Sequence, residues 1–205
     1  MEAMATASTR AVRTDRRAQI LRAAKQAFSQ KGFHTASVSD IIERAGIARG
    51  TFYLYFESKR DVFDKLLEEL LVELRACIRP IELKPGSPQP VEQLRANIMR
   101  VLELVLREPE LFQLLLHQAR GLDPQSAAIV ASFYERVLTL IERSLEHGMR
   151  LGLIRPCNPA IISSCILGTV KEVAGWLIAQ RQQPTDREAL VDEILNFGLR
   201  GLLAR

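Results

Sequence analysis

Ser37-Val-Ser-Asp-Ile-Ile-Glu-Arg-Ala-Gly-Ile-Ala-Arg-Gly-Thr-Phe-Tyr-Leu-Tyr-Phe56 reads as two short helices joined by a tight turn at Ala45-Gly46-Ile47. Gly46 permits the turn, because a positive φ is costly for any residue with a Cβ. Val38, Ile41, Ile42 and Ala45 form the apolar face of the first helix, and Ile47 plugs the corner. With Phe52 and Phe56 facing inward, Arg49, Thr51, Tyr53, Leu54 and Tyr55 are left on or near the exposed side of the second. Arginine, threonine and tyrosine suit phosphate and base-edge contacts, and Gly50 would admit a nucleic-acid backbone closely. This is the arrangement that inserts one helix into a DNA major groove. The tyrosine rings have a plainer reading too, in which they pack by their faces and point their hydroxyls at water.

Outward from this stretch the pattern stays helical. A first helix is expected from about Asp15 to Gln30 after an N-cap at Thr14, with Ile20, Ala24, Ala27 and Phe28 in one stripe and Gly32 ending it. Ser37 with Asp40, and Ser58 with Asp61, form capping-box-like pairs; the second opens a long helix to about Ile78. The Pro- and Gly-containing segment Pro80–Pro90 is the clearest break. Five further helices are expected, at Val91–Arg107, Glu110–Ala119, Pro124–Leu151, Pro159–Gln180 and Arg187–Leu203. No strand pattern emerges, so the expected fold is all-α with about nine helices. Residues 1–13, rich in Ala, Ser and Thr, lack the apolar core of a secretory signal and are expected to be a disordered arm.

Charge is unevenly placed. Residues 13–60 hold ten Lys/Arg against four Asp/Glu, a local +6 in a 205-residue chain whose total is +4. A basic N-terminal quarter on a mildly acidic body suits a polyanion bound by that quarter, although a solvated basic face has the same composition. Arg10, Arg13, Arg16 and Arg17 read either as an electrostatic arm toward the DNA backbone or minor groove, or as a soluble tail. Three scattered cysteines argue for a reducing, cytoplasmic setting. The most apolar segment, residues 160–179, is interrupted by Lys171-Glu172, so no membrane span is expected.

Residues 14–74 resemble the DNA-binding domain of the TetR family of transcriptional regulators. The resemblance is carried by Ile20, Ala23-Ala24, Phe28 and Gly32-Phe33, by Ser37-Val38, Asp40-Ile41 and Ala45-Gly46-Ile47, and by Arg49 through Phe56, Lys59 and Asp61-Val62-Phe63. It implies that Arg49, Thr51 and Tyr53 face DNA, that Tyr55 and Lys59 bind phosphate, and that Ser37 sits at a phosphate-binding helix start. Two positions depart from the pattern. Ala48 stands where a Ser or Thr often caps the recognition helix, at a cost of about 1 kcal/mol, and Leu54 replaces a polar or aromatic residue, leaving thymine-methyl contact as its route to a base. The DNA contact set is thus Ser37, Arg49, Gly50, Thr51, Tyr53, Leu54, Tyr55 and Lys59.

For residues 75–205 the resemblance implies an all-helical regulatory domain, a homodimer through the last two helices and an internal effector pocket. The Pro159–Gln180 helix, apolar nearly all round, agrees with cover on more than one side. Candidate pocket residues are Phe112, Leu116, His117, Phe133, Val137, Val173 and Trp176, with Arg143 and Glu172 as polar anchors, for a hydrophobic or amphipathic effector such as an acyl chain or aromatic compound. Each apolar member has core packing as its plainer reading, and His117 that of a structural histidine. The expected function is a homodimeric repressor released from a palindromic DNA operator by such a molecule. Rival readings are a regulator without a small-molecule effector and an all-helical enzyme. Against the enzyme, there is no G-x-S-x-G, phosphate loop, H-E-x-x-H or paired Cys/His spacing, and neither a cofactor nor a metal site is expected.

Overall fold

The computed structural model describes residues 2–117, 123–180 and 186–202. Among these it is all-α: α1 Glu2–Lys31, α2 Val38–Ala45, α3 Arg49–Tyr53, α4 Lys59–Cys77, α5 Pro90–Arg107, α6 Pro109–His117, α7 Pro124–Arg150, α8 Pro159–Gln180 and α9 Arg187–Leu202. The expected punctuation is there. Ser37 and Asp40 close a full capping box on α2, Gly46 ends it at φ +61°, Ser58 caps α4, and Asp123 caps α7 ahead of Pro124.

The beginning of the chain differs from expectation. Helix α1 runs back to Glu2, where composition suggested a disordered arm and a start at Asp15. Residues 2–13 hold no Gly or Pro and four alanines, so once the packed half of α1 is formed nothing stops the helix from propagating.

Helix α1 packs on α2, α4 and α6; α4 packs on α5 and α7; α8 lies against α5, α6 and α7, and α9 against α5. One apolar core is continuous from the N-terminal helices into the body. It includes Phe28, Phe33, Phe52, Phe56 and Phe63, passes through Leu66, Leu67, Leu70, Leu71 and Leu74 of α4, and reaches Leu111, Leu114, Phe133 and Val137. A smaller cluster, Leu102, Leu177 and Val191, joins α5, α8 and α9.

The proline-rich break is a fixed strap. Asn97 is buried; it donates to Arg79 O at 2.8 Å and accepts from Arg79 N at 3.1 Å. Arg100 Nε donates to Cys77 O at 2.9 Å, Gln93 Nε2 donates to Glu82 O and Pro88 O at 2.8 Å each, and His147 Nε2 lies 3.2 Å from Ile81 O. These side chains satisfy backbone groups that a proline-rich segment cannot pair within itself.

Candidate nucleic-acid interface

Helix α3 has five residues, too few to be stable alone. It is held from behind. Phe52 and Phe56 are fully buried, their rings 6.0 Å apart, and Phe52 meets the edge of Tyr53 at 5.3 Å. As expected, Ala48 gives α3 no side-chain cap. The opposite face is open: Arg49 and Gly50 are exposed, Tyr53 is 48% and Leu54 75% exposed, and Thr51 and Tyr55 are half-buried. Arg49 lies over the Tyr53 ring, its guanidinium 5.9 Å from the centroid, so the two side chains form one platform. A Cβ added to Gly50 would meet nothing within 4 Å. The protein's own packing therefore does not demand a glycine there, and an exposed helical glycine costs about 0.5–1 kcal/mol relative to alanine.

The remaining expected contacts are differently placed. Tyr55 packs against the core cluster, which orients it from the protein side. Ser37 gives both of its donors to one carboxylate: its N–H and its Oγ each donate to Asp40 Oδ2 at 2.8 Å, and Oγ accepts from Asp40 N at 3.2 Å. Lys31 adds an ion pair to Asp40 at 2.5 Å. The Lys31 and Ser37 hydrogen bonds hold the Asp40 carboxyl well below the usual carboxylate range. A negative group thus occupies the start of α2, where the resemblance implied a phosphate. The Lys59 ammonium is likewise engaged: it donates to Phe33 O at 2.7 Å and to His34 O and Ala36 O at 2.8 Å each. In the chain without DNA, the Ser37 and Lys59 donors that the resemblance assigned to phosphate are thus engaged within the fold.

Much of the basic charge of residues 13–60 has internal partners as well. Arg17 pairs with Glu69 and stacks on Phe56, Lys25 pairs with Glu108, Arg44 donates to Gln30, and Arg60 pairs with Asp123. Three of these partners, Glu69, Glu108 and Asp123, lie outside residues 13–60 and offset part of the local positive charge.

In the body, Phe133 and Val137 are buried in the same core that Phe112 packs against. Half-buried Leu116 lies at the crossing of α6 and α8, its Cδ1 3.8 Å from where a Cβ of Gly175 would stand. Val173 packs in the separate α5–α8–α9 cluster. Arg143 and Glu172 are exposed, and Trp176 is 54% exposed, so the structure does not bring these three into the core with the others. For Glu172 and Trp176 periodicity could not choose the face, because α8 is apolar nearly all round. The side chain of His117 lies outside the described residues. Among the described residues, no cluster of three or more metal-ligating side chains is present.

Residues 20–66 match the profile of bacterial regulatory proteins of the tetR family, and residues 87–202 match the C-terminal domain of tetracyclin repressor-like proteins. The chain is 39% identical over 150 residues to the HTH-type transcriptional regulator YfiR of Bacillus subtilis, covering 70% of each chain. It is 24% identical over 194 residues to the HTH-type transcriptional activator FasR of Mycolicibacterium smegmatis, covering 93% of this chain and 84% of that one. Among solved structures it superposes on the transcriptional regulator FadR of Bacillus subtilis in complex with stearoyl-CoA, with TM-score 0.72, 23% identity and coverage of 89% and 97%.

Proposed function

Because this chain belongs to the tetR family of bacterial regulatory proteins and is a DNA-binding transcriptional regulator, we propose that it acts as a homodimeric repressor, released from a palindromic operator by a hydrophobic or amphipathic small molecule. The observation that carries the reading is α3 with the turn after it, anchored by buried Phe52 and Phe56 and presenting Arg49, Gly50, Tyr53 and Leu54 outward, with Thr51 half-buried beside them. Arg49 and Tyr53 are the base-reading pair, Leu54 offers an apolar contact to a thymine methyl, and Gly50 lets the backbone approach. Tyr55 supplies a phosphate contact from its packed ring.

The dimer is supported by apolar side chains left outside on the last two helices: Ile161 at 60%, Trp176 at 54% and Phe197 at 75% exposed. Large apolar side chains left exposed in this way favour an interface. Helix α8 is long and apolar enough to cross a membrane by composition alone. In a DNA-binding regulator, with α8 packed on α5, α6 and α7, that surface is better explained by a second subunit. Two α3 helices in successive major grooves then stand about 34–36 Å apart.

The effector reading rests on the apolar interior around Phe112, Leu116, Phe133 and Val137. The stearoyl-CoA bound by the FadR neighbour supports an acyl chain or its thioester as the class. The test is in vitro selection of duplexes by the purified chain, followed by titration with stearoyl-CoA. An inverted repeat with half-sites one turn apart, released by the thioester, is expected. Enrichment of no repeat overturns the dimeric operator reading, and a complex indifferent to long-chain acyl-CoA overturns the effector class.

A further inference from the structure

We propose that Lys59 is a positioning residue of the DNA-reading head and not a grip on phosphate: its ammonium plugs a cup of three main-chain carbonyls and so fixes the turn that enters α2 against the start of α4. An ammonium has three donors and no acceptor. All three are accounted for by Phe33 O, His34 O and Ala36 O, and the charge lies 4.8 Å from the Phe33 ring centroid. The cup exists because α1 ends at Gly32, with φ +77°, after which the chain turns through residues 33–36 with Phe33 and Ala36 buried. Carbonyls in such a turn have no helical partner, and leaving them unpaired is costly.

Lysine at the first position of a helix also meets the positive end of the helix dipole, an unfavourable place for a cation. The carbonyl cup offsets that penalty. Burial lowers the Lys59 pKa from the ordinary lysine range; Asp123 opposes the shift and Arg60 adds to it. The cup leads directly into Ser37, the N-cap of α2, so Lys59 ties the first turn of α4 to the entry of the reading pair. Its neighbour Arg60 reaches the other way, to Asp123 at the start of α7, at 3.1 Å. Two consecutive side chains thus join α4 to the head and to the body.

The inference builds on the reading of α3 as the DNA helix, but its first test needs no DNA. The full chain is acetylated with an amine-selective reagent and mapped by mass spectrometry, with Lys84, whose side chain is 74% exposed, as the reference. Lys59 is expected to react at least about tenfold more slowly than Lys84 in free protein, because its lone pair is released only when the cup opens. Reaction at the Lys84 rate in free protein, with protection only on adding duplex, would overturn the proposal. The second test compares Lys59→Met with the parent on a selected operator and on random duplex, at a temperature where circular dichroism shows both folded. The expected result is about a tenfold loss on the operator, with random-duplex affinity and its salt slope unchanged. Equal loss on both DNAs with the slope reduced by about one is the signature of a phosphate grip. Unchanged affinity for both DNAs is that of a merely stabilising lysine. Either result overturns the positioning role. If Lys59→Met does not fold, the labelling decides; if the chain binds no duplex at all, the reading of α3 fails while the labelling still tests the cup.

Discussion

At Arg49 and Gly50 the two neighbouring residues have opposite relations to the protein's own stability. Arg49 touches little but the Tyr53 ring, so Arg49→Ala leaves the fold intact and relaxes sequence preference. Removing a bidentate hydrogen-bond pair to a base costs about 1–3 kcal/mol of discrimination at one operator position, and repeating the duplex selection with the variant reads it as a flattened preference at that position. Gly50→Ala should do the reverse to stability. With nothing within 4 Å of the new methyl, the variant gains helix propensity and melts slightly higher, yet it binds DNA more weakly because the methyl meets the backbone. Thermal melting and gel-shift titration of one preparation check both halves. Arg49, Tyr53 and Leu54 were legible in the sequence because their exposure follows from the spacing of Phe52 and Phe56. The engagement of Ser37 and Lys59 was not, since their partners are one carboxylate and three turn carbonyls that only the folded backbone brings together.

Caps and turns explain why most helix ends came out where expected. Ser37, Gly46, Ser58 and Asp123 act on backbone groups within a few residues, so their effect is local and readable. Helix α1 is the exception, because an Ala-rich segment carries no stop signal and its state depends on the helix it continues. Asp123 links the element scale to pH. Its hydrogen bonds from Ser126, with a contribution from Arg60, hold its pKa at about 2. A depressed carboxylate contributes stability that is present above the ordinary Asp pKa, about 3.9, and is lost as pH falls through the folded value. Asp123→Asn should therefore be less stable than the parent at neutral pH, with the gap narrowing between about pH 4 and 2; urea unfolding across that range measures it. Persistence of the full gap at the acid end would mean that the charge is not what matters. The same bond is half of the α4–α7 joint. Arg60 Nε is buried without a partner among the described residues, so Arg60 meets Asp123 with only part of its fork.

Across the whole molecule the reading head and the body share one core. Because Leu66, Leu67, Leu70, Leu71 and Leu74 of α4 contribute to that core, and the strap after α4 is pinned by Asn97, Arg100, Gln93 and His147, α4 cannot shift without disturbing its neighbours. Large apolar side chains remain exposed on α8 and α9. Trp176→Arg combined with Phe197→Asp places charges where the proposed second subunit packs, on positions already exposed in the single chain. Sedimentation should show a monomer with unchanged helical circular dichroism, and operator affinity should fall by at least about a hundredfold because each head then binds its half-site alone. A variant that stays dimeric would move the interface elsewhere.

The sequence by itself determined the helical class, the helix-turn-helix and most helix boundaries. Those depend on local periodicity, caps and a glycine turn, interactions that reach at most one or two turns along the chain. Tertiary structure decided which polar side chains are free. Lys59, Ser37 and most of the arginines and lysines of residues 13–60 are engaged within the fold, and no spacing rule records a carbonyl supplied from 23 to 26 residues away. It also decided which side of α8 faces out. A helix apolar all round has no preferred face until α5, α6 and α7 have covered part of it and left Ile161 and Trp176 outside.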